Sequence, residues 1–306
     1  MMSTDDEAAG NMMMFCASCG IAENDDVKLK KCACNLVRYC SVTCQRDHRS
    51  QHKKACKKRV AELRDELLFT QPESSHLGDC QICFLPLSID LRKSTLMSCC
   101  SKTVCCGCEM ASILHQKVNS GNPETKCPFC RKPPPCDLNG EVELNTMKRI
   151  EANDPAATRQ KGMKCYNKGE YESAFKYLTK AAELGDYEAH YHLSRMYRDG
   201  RGVEQDSKKE KYHLQEAAIG GHPSARYTLG LYEARQFRFD RATKHWIISA
   251  NLGCDESMDM IREFYSKGAV SKEDFAAALR AHQASVDATK SPQRERADEV
   301  NRMTNR

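Results

Sequence analysis

No apolar run in these 306 residues approaches the roughly 20 that a bilayer crossing needs, so no membrane span is expected. The opening stretch, MMSTDDEAAGNMMM, is acidic, has no basic leading region, and carries too few methionines to build the apolar core of a secretory signal. These absences point to a reducing compartment, cytoplasmic or nuclear. The chain also lacks a phosphate-cradling glycine loop between strand and helix, and it lacks a nucleophile elbow. Phosphoryl transfer and acyl hydrolysis therefore have no candidate residues. A strong charge imbalance is missing too: a net charge of +5, unevenly spread, gives no argument for nucleic acid as a partner. Cysteine is scarce in the back half, where only Cys165 and Cys254 of the nineteen lie beyond Cys136.

The rest of the cysteines form two dense clusters. In a reducing compartment, thiols bunched as C-x2-C pairs read as metal ligands rather than disulfide partners. The first cluster runs Cys16-x2-Cys19, Cys32-x-Cys34, Tyr39-Cys40-x3-Cys44 and His52-x3-Cys56. Seven thiols and one imidazole make two tetrahedral sets, and the thiolate bias selects Zn²⁺ over magnesium or calcium. Residues 43–68 contain no proline or glycine and place His52 and Cys56 at i, i+4, on one face of an expected helix.

The stretch YCSVTCQRDHRSQHKKAC resembles the ending of a MYND zinc finger. Because that family interleaves its ligands, the resemblance implies Cys16, Cys19, Cys40 and Cys44 on one zinc, with Cys32, Cys34, His52 and Cys56 on the other. The Cys32-Ala33-Cys34 knuckle is one residue shorter than the family's usual pair. His48 stands where the family usually holds a bulky aromatic, so a packing role is expected for it rather than ligation. MYND fingers dock short, often proline-containing peptides, and every coordination position here is filled by protein, which makes the zinc structural. No segment resembles the methyltransferase domain to which some relatives fuse this finger. The basic run Lys53, Lys54, Lys57, Lys58 and Arg59 reads as a solvated helix face, because Glu62, Asp65 and Glu66 follow at once.

The second cluster follows a linker, QPESSHLGD: Cys80-x2-Cys83, Cys99-Cys100, Cys105-x2-Cys108 and Cys127-Pro128-Phe129-Cys130. Order and spacing resemble a RING domain, which implies Cys80, Cys83, Cys105 and Cys108 on one zinc and Cys127 and Cys130 on a second. The family's usual histidine position holds Lys102, and a protonated lysine cannot ligate. A minority all-cysteine RING type admits Cys99 and Cys100 as the middle ligands, with Cys106 and His115 as fallback candidates. His115 is expected on a helix after Cys108 whose apolar face is Met110, Ile113, Leu114 and Val118. The RING resemblance implies an E3 ubiquitin ligase that holds a ubiquitin-charged E2 enzyme, a proximity effect. Ile82 and Pro128 match the family's E2-facing residues, and Arg131 matches its basic linchpin. The other reading is a non-enzymatic zinc-binding adaptor with a degenerate RING. Cys136, after Pro133-Pro134-Pro135, reads as a free surface thiol.

In the third region, Ala157, Ala189, Ala225 and Ser257 share a phase, as do Ala181-Ala182, Ala217-Ala218 and Ser249-Ala250. Such a period means helix pairs stacked as a solenoid, with Tyr166, Tyr191, Tyr197, Tyr227 and Tyr232 as core fillers and Gly185, Gly221 and Gly253 ending the second helices. The turn from Tyr197 through Gly200, Gly202, Val203 and Asp206 to Lys209 resembles a Sel1-like repeat, which implies a concave groove for peptides. Ser271-x2-Asp274 opens a capping helix.

The expected fold is mainly α: two small cross-braced zinc modules with short β-hairpins, then an α-solenoid of helix pairs. The expected segments are a disordered start (1–14), the MYND-like finger and following helix (15–70), a linker (71–79), the RING-like module (80–132), a proline-rich linker with a connecting helix (133–152), the solenoid with its capping helix (153–290) and a disordered tail (291–306). Four structural Zn²⁺ ions are expected. The expected partners are an E2 enzyme and protein segments bound at finger and groove, with neither membrane nor nucleic acid.

Overall fold

The computed structural model describes residues 15–120, 126–133 and 141–304. The expectations for residues 1–14 and for Cys136 lie outside them. The chain divides into two compact units, Met1–Thr70 and Gln71–Arg306.

In the first unit, β1 (Lys30–Lys31) pairs antiparallel with β2 (Arg38–Tyr39), with Lys30 opposite Tyr39. Two helices follow, α1 (Val42–Asp47) and α2 (Arg49–Phe69). Ser41 caps α1 by accepting the Cys44 backbone N–H at 3.1 Å. The buried cluster is Cys16, Leu29, Cys32, Cys34, Val37 and Tyr39, so half of it is thiol. Three aliphatic and aromatic side chains do not offset the entropy of ordering this many residues, and the metal must supply the difference. On α2, Arg59 reaches Glu62 at 3.3 Å and Glu66 at 2.9 Å, which breaks the basic stripe.

The second unit opens with a small hairpin, β3 (Ser94–Met97) against β4 (Lys102–Cys105), with Ser94 opposite Cys105. Helix α3 (Cys106–Ser120) follows, then α4 (Glu141–Glu151). Eight further helices form four pairs: α5 (Pro155–Asn167) with α6 (Tyr171–Glu183), α7 (Tyr187–Asp199) with α8 (Ser207–Ile219), α9 (Pro223–Arg235) with α10 (Phe239–Asn251), and α11 (Asp255–Ser266) with α12 (Lys272–Ala288). Each pair packs on the next, as a solenoid requires.

The phase-sharing alanines have a structural cause. Asp154, Asp186 and His222 are N-caps that accept the backbone N–H of Ala157, Ala189 and Ala225. Those alanines are fully buried, so the cap fixes the residue at which neighbouring helices approach most closely. Gly185, Gly221 and Gly253 follow the ends of α6, α8 and α10 with φ of +90°, +83° and +93°, a conformation that favours glycine. Ser271 accepts the Asp274 N–H at 3.0 Å and starts α12.

The core departs from the expected tyrosine filling. Leu178, Leu193, Met196, Leu214, Leu229, Trp246 and Ile261 fill it, while Tyr166, Tyr191, Tyr227 and Tyr232 are half-buried and, of the five, only Tyr197 is buried. The aliphatic side chains carry no polar group that needs a partner, the Trp246 indole finds one in the Tyr227 carbonyl, and four of the five phenols stay at the edge where the hydroxyl can reach water. The expected apolar face of α3 is not enclosed either: Leu114 and Val118 are exposed. A third departure is the tail. Residues Pro292–Thr304 form a helix, α13, which packs against α3. The second cysteine cluster, the helix array and the tail, expected as separate segments, are joined in one unit.

Candidate metal centres

Four groups of side chains converge as metal sites, each with its donor atoms within 4.8 Å of one another: Cys16, Cys19, Cys40 and Cys44; Cys32, Cys34, His52 and Cys56; Cys80, Cys83, Cys105 and Cys108; and Cys99, Cys100, Cys127 and Cys130. Zinc–sulfur bonds of about 2.3 Å in a tetrahedron separate two sulfurs by about 3.8 Å. The observed separations are close to that: 3.5 Å for Cys19 and Cys40, 3.6 Å for Cys32 and Cys56, 3.9 Å for Cys83 and Cys105, and 3.7 Å for Cys100 and Cys127. His52 Nε2 lies 3.1 Å from Cys34 Sγ. These donor sets fit structural Zn²⁺, soft and complete at four protein ligands, with no position left for a reacting water.

One backbone device recurs at all four. In each cluster the residue after the second cysteine of one spaced pair has positive φ: Gly20 at 74°, Asn35 at 58°, Phe84 at 55° and, after Cys127 and Cys130, Arg131 at 57°. Its N–H donates back to the carbonyl of the first cysteine, with N···O distances of 2.9, 2.9, 2.9 and 3.0 Å. This turn aims both thiols at one point. The short Cys32-Ala33-Cys34 knuckle closes through the same bond, with Asn35 taking the left-handed conformation that asparagine tolerates. The adjacent thiols Cys99 and Cys100 face one centre because the N–H groups of Cys100 and Ser101 both bond to the Met97 carbonyl, with Ser101 at φ 47°.

Other candidates fall outside the clusters. Lys102 begins β4 and is exposed. His115 is exposed on α3. Cys106 is buried beside Asp298, at 3.6 Å, and burial together with that carboxylate pushes its thiol up to about 11, so it stays protonated. His48 Nδ1 sits 3.0 Å from the Tyr39 hydroxyl, and its ring stacks on His52 at 5.7 Å, orienting that ligand. Ile82 is 37% exposed, and Pro128 and Arg131 are also exposed.

Sequence reasoning missed a fifth convergence, His76, Glu188 and His222. His76 Nε2 lies 2.7 Å from Glu188 Oε2, His222 Nε2 lies 3.3 Å from the same oxygen, and His192 Nε2 lies 3.3 Å from Oε1. Burial opposes the charge on Glu188, yet the three imidazoles hold its carboxyl far below the usual range. The group does not fit a metal ion. His222 Nδ1 accepts the Ala225 N–H, so Nε2 carries the ring proton and offers no lone pair. The His76 and His222 rings are stacked at 4.2 Å with 8° between planes, side by side on one oxygen. The cluster is a polar clamp: His76 hydrogen-bonds Glu188 of α7 and stacks on His222, the N-cap of α9, tying the 71–79 segment to both helices. The His76 backbone N–H also donates to the Gly221 carbonyl. Its only sequence signal is His76 in the linker, which belongs to no motif.

A cavity of about 390 Å³ on the helix array is lined by Tyr191, Tyr227, Leu231, Tyr232, Arg198 and Glu210, among others. Among the described residues no helix is long and apolar enough to cross a membrane.

Residues 16–56 match the MYND finger family. A 67-residue stretch is 40% identical to the chitin synthase regulator SKT5 of Saccharomyces cerevisiae; it makes up 22% of this chain, and the chain spans only 10% of that relative's length. Among solved structures, a Sel1 repeat protein from Oxalobacter formigenes is similar over 47% of this chain and 64% of its own, at 23% identity and a TM-score of 0.41. The protein c5321, a protective antigen with an SLR fold present in uropathogenic Escherichia coli strains, is similar over 47% of this chain and 33% of its own, at 21% identity and a TM-score of 0.40. The front of this chain is thus a MYND-type zinc finger.

Proposed function

We propose that this protein is a zinc-stabilised interaction scaffold, in which the finger and the helix array each hold a segment of a protein partner. The observation that carries the reading is the closure of all four zinc-type clusters by four protein donors beside a MYND match at residues 16–56. Such sites hold shape and do no chemistry on a substrate. The tyrosine-lined cavity on the array supports it: half-buried phenols offer apolar area and a polar tip at low entropic cost, which suits an extended peptide. Binding of the zinc-loaded full chain to a library of proline-containing peptides, read by fluorescence anisotropy, tests the reading. Micromolar binders weakened by Tyr227→Ala, or lost with the finger zinc, are expected. Absence of any binder at both places would sink it.

A second reading, an E3 ubiquitin ligase, has one favouring observation. Ile82 and Pro128 stand exposed on opposite knuckles of interleaved zinc-type sites, with Arg131 exposed after the last cysteine. An E2 enzyme gripped there would present its thioester by proximity alone. Ubiquitin chains formed with an E2 panel and lost in both Ile82→Ala and Arg131→Ala would establish it. No chains from a folded protein holding four zincs would leave the scaffold.

A further inference from the structure

The C-terminal helix α13 is unusually intimate with the zinc-type site of Cys80, Cys83, Cys105 and Cys108. Arg294 is 7% exposed although it carries a guanidinium. That guanidinium donates to Cys83 Sγ at 3.3 Å, to the Leu85 carbonyl at 3.1 Å, to the Pro86 carbonyl at 2.6 Å and to the Thr289 carbonyl at 2.8 Å. Three of these four acceptors belong to the turn that carries Cys83. From the other side, Gly107 lies between two of the clustered thiols, and a Cβ there would stand 2.8 Å from the Arg294 backbone N. The helix therefore rests directly on the backbone of α3. Asp298, one turn on, reaches Lys93 at 3.1 Å and accepts from Cys106. Ala297, between them, is fully buried.

We propose that α13 is a latch coupled to this zinc site: the docked helix slows zinc loss, and emptying the site releases the helix. The physical link is the turn that carries Cys83: a zinc ion holding Cys80 and Cys83 together would keep that turn closed, and with it the Leu85 and Pro86 carbonyls that Arg294 grips. Arg294 in turn offsets part of the negative charge that four thiolates gather around one ion. The latch also forms a wall of a cavity of about 480 Å³ whose other walls include Leu87, Leu252 and Val286, so its release changes a face shared by module and array.

The test uses the zinc-loaded full chain. Zinc transfer to a chromophoric chelator is followed in time, with native mass spectrometry counting the ions retained and hydrogen exchange reporting on 292–304. Arg294→Met is expected to release one zinc at least about tenfold faster than the parent chain and to deprotect α13. Ala297→Asp leaves Arg294 intact but cannot dock, and it is expected to release that same zinc faster. Cys83→Ser is expected to deprotect α13 while the other zincs stay. Release rates unchanged in both tail variants, with α13 visibly deprotected, would overturn the coupling. So would an α13 still protected in Cys83→Ser after its zinc is lost.

Discussion

The helix array contains a histidine pair that makes its stability depend on pH. His190 Nδ1 and His213 Nδ1 lie 3.0 Å apart, so one ring must donate and the other accept, and the contact cannot survive with both rings protonated. Tyr197 stacks on His213 at 5.5 Å, and burial, aided by His190 and Lys209, pushes the His213 imidazole down to about 4. Burial lowers His190 as well. An unfolded histidine titrates near 6.5, so below that pH the unfolded chain binds the proton that the folded chain refuses. Stability is then fully present above about pH 6.5 and lost as pH falls from there toward 4. Between pH 7.5 and 5 the linkage for His213 is about 2 kcal/mol, discounted to about 1–2 kcal/mol for the part of the ring that meets solvent. Urea unfolding of the zinc-loaded chain at the two pH values measures the loss. Zinc thiolates also weaken in acid, so the comparison that isolates the pair is with His213→Phe, which keeps the stack on Tyr197 and cannot titrate. The variant is expected to lose about 1–2 kcal/mol less than the parent over the same interval. Identical losses would refute the assignment.

Arg131→Gly should leave thermal stability unchanged or raise it, and Arg131→Val should lower it by about 1–2 kcal/mol, because this knuckle residue sits at φ 57°; equal melting temperatures for the two would contradict the turn described. Cys100→Ser is expected to reduce the bound zinc from four ions to three by native mass spectrometry, whereas Cys106→Ser keeps four, its thiol lying against Asp298 rather than in a cluster. Gly230→Ala would drive a Cβ into Nε1 of the fully buried Trp246, whose indole donates to the Tyr227 carbonyl, so an overpacking cost of about 1–3 kcal/mol is expected in chemical denaturation.

Much of the architecture is legible in the sequence because metal ligation and helix stacking both leave periodic marks. Thiols that share an ion recur at fixed short spacings, so the adjacent Cys99 and Cys100 stand out as a pair by position alone, and the fold brings them together with Cys127 and Cys130. Ala157, Ala189 and Ala225 keep their phase because each sits three residues after an N-cap, at the point where helices touch. Contacts between segments far apart in the chain stay hidden. Nothing local tells His76 that its partners lie on α7 and α9, since each of those histidines reads alone as an ordinary surface or cap residue. Tyrosine recurs at repeat-like intervals too, but recurrence does not distinguish a core position from the rim of a cavity. The hydroxyl decides, by demanding a partner or water.

The tail shows the limit most clearly. Residues 291–306 are charged and carry no apolar stripe, and by composition they could not cover the entropy of ordering themselves. One local sign points the other way: Ser291 followed by Pro292 is a helix start, and the Glu295 N–H does donate to the Ser291 carbonyl. A start signal cannot hold a helix of this length in water, however, because nucleation is costly and isolated short helices are marginal. The stabilisation comes from outside the segment, from acceptors that exist only once the Cys80–Cys83 knuckle has closed. Two side chains, Arg294 and Ala297, make up the buried face. A segment whose buried face is one guanidinium and one methyl group, with Asp298 pairing to Lys93 beside them, looks disordered in sequence because its partner is itself a product of folding around metal.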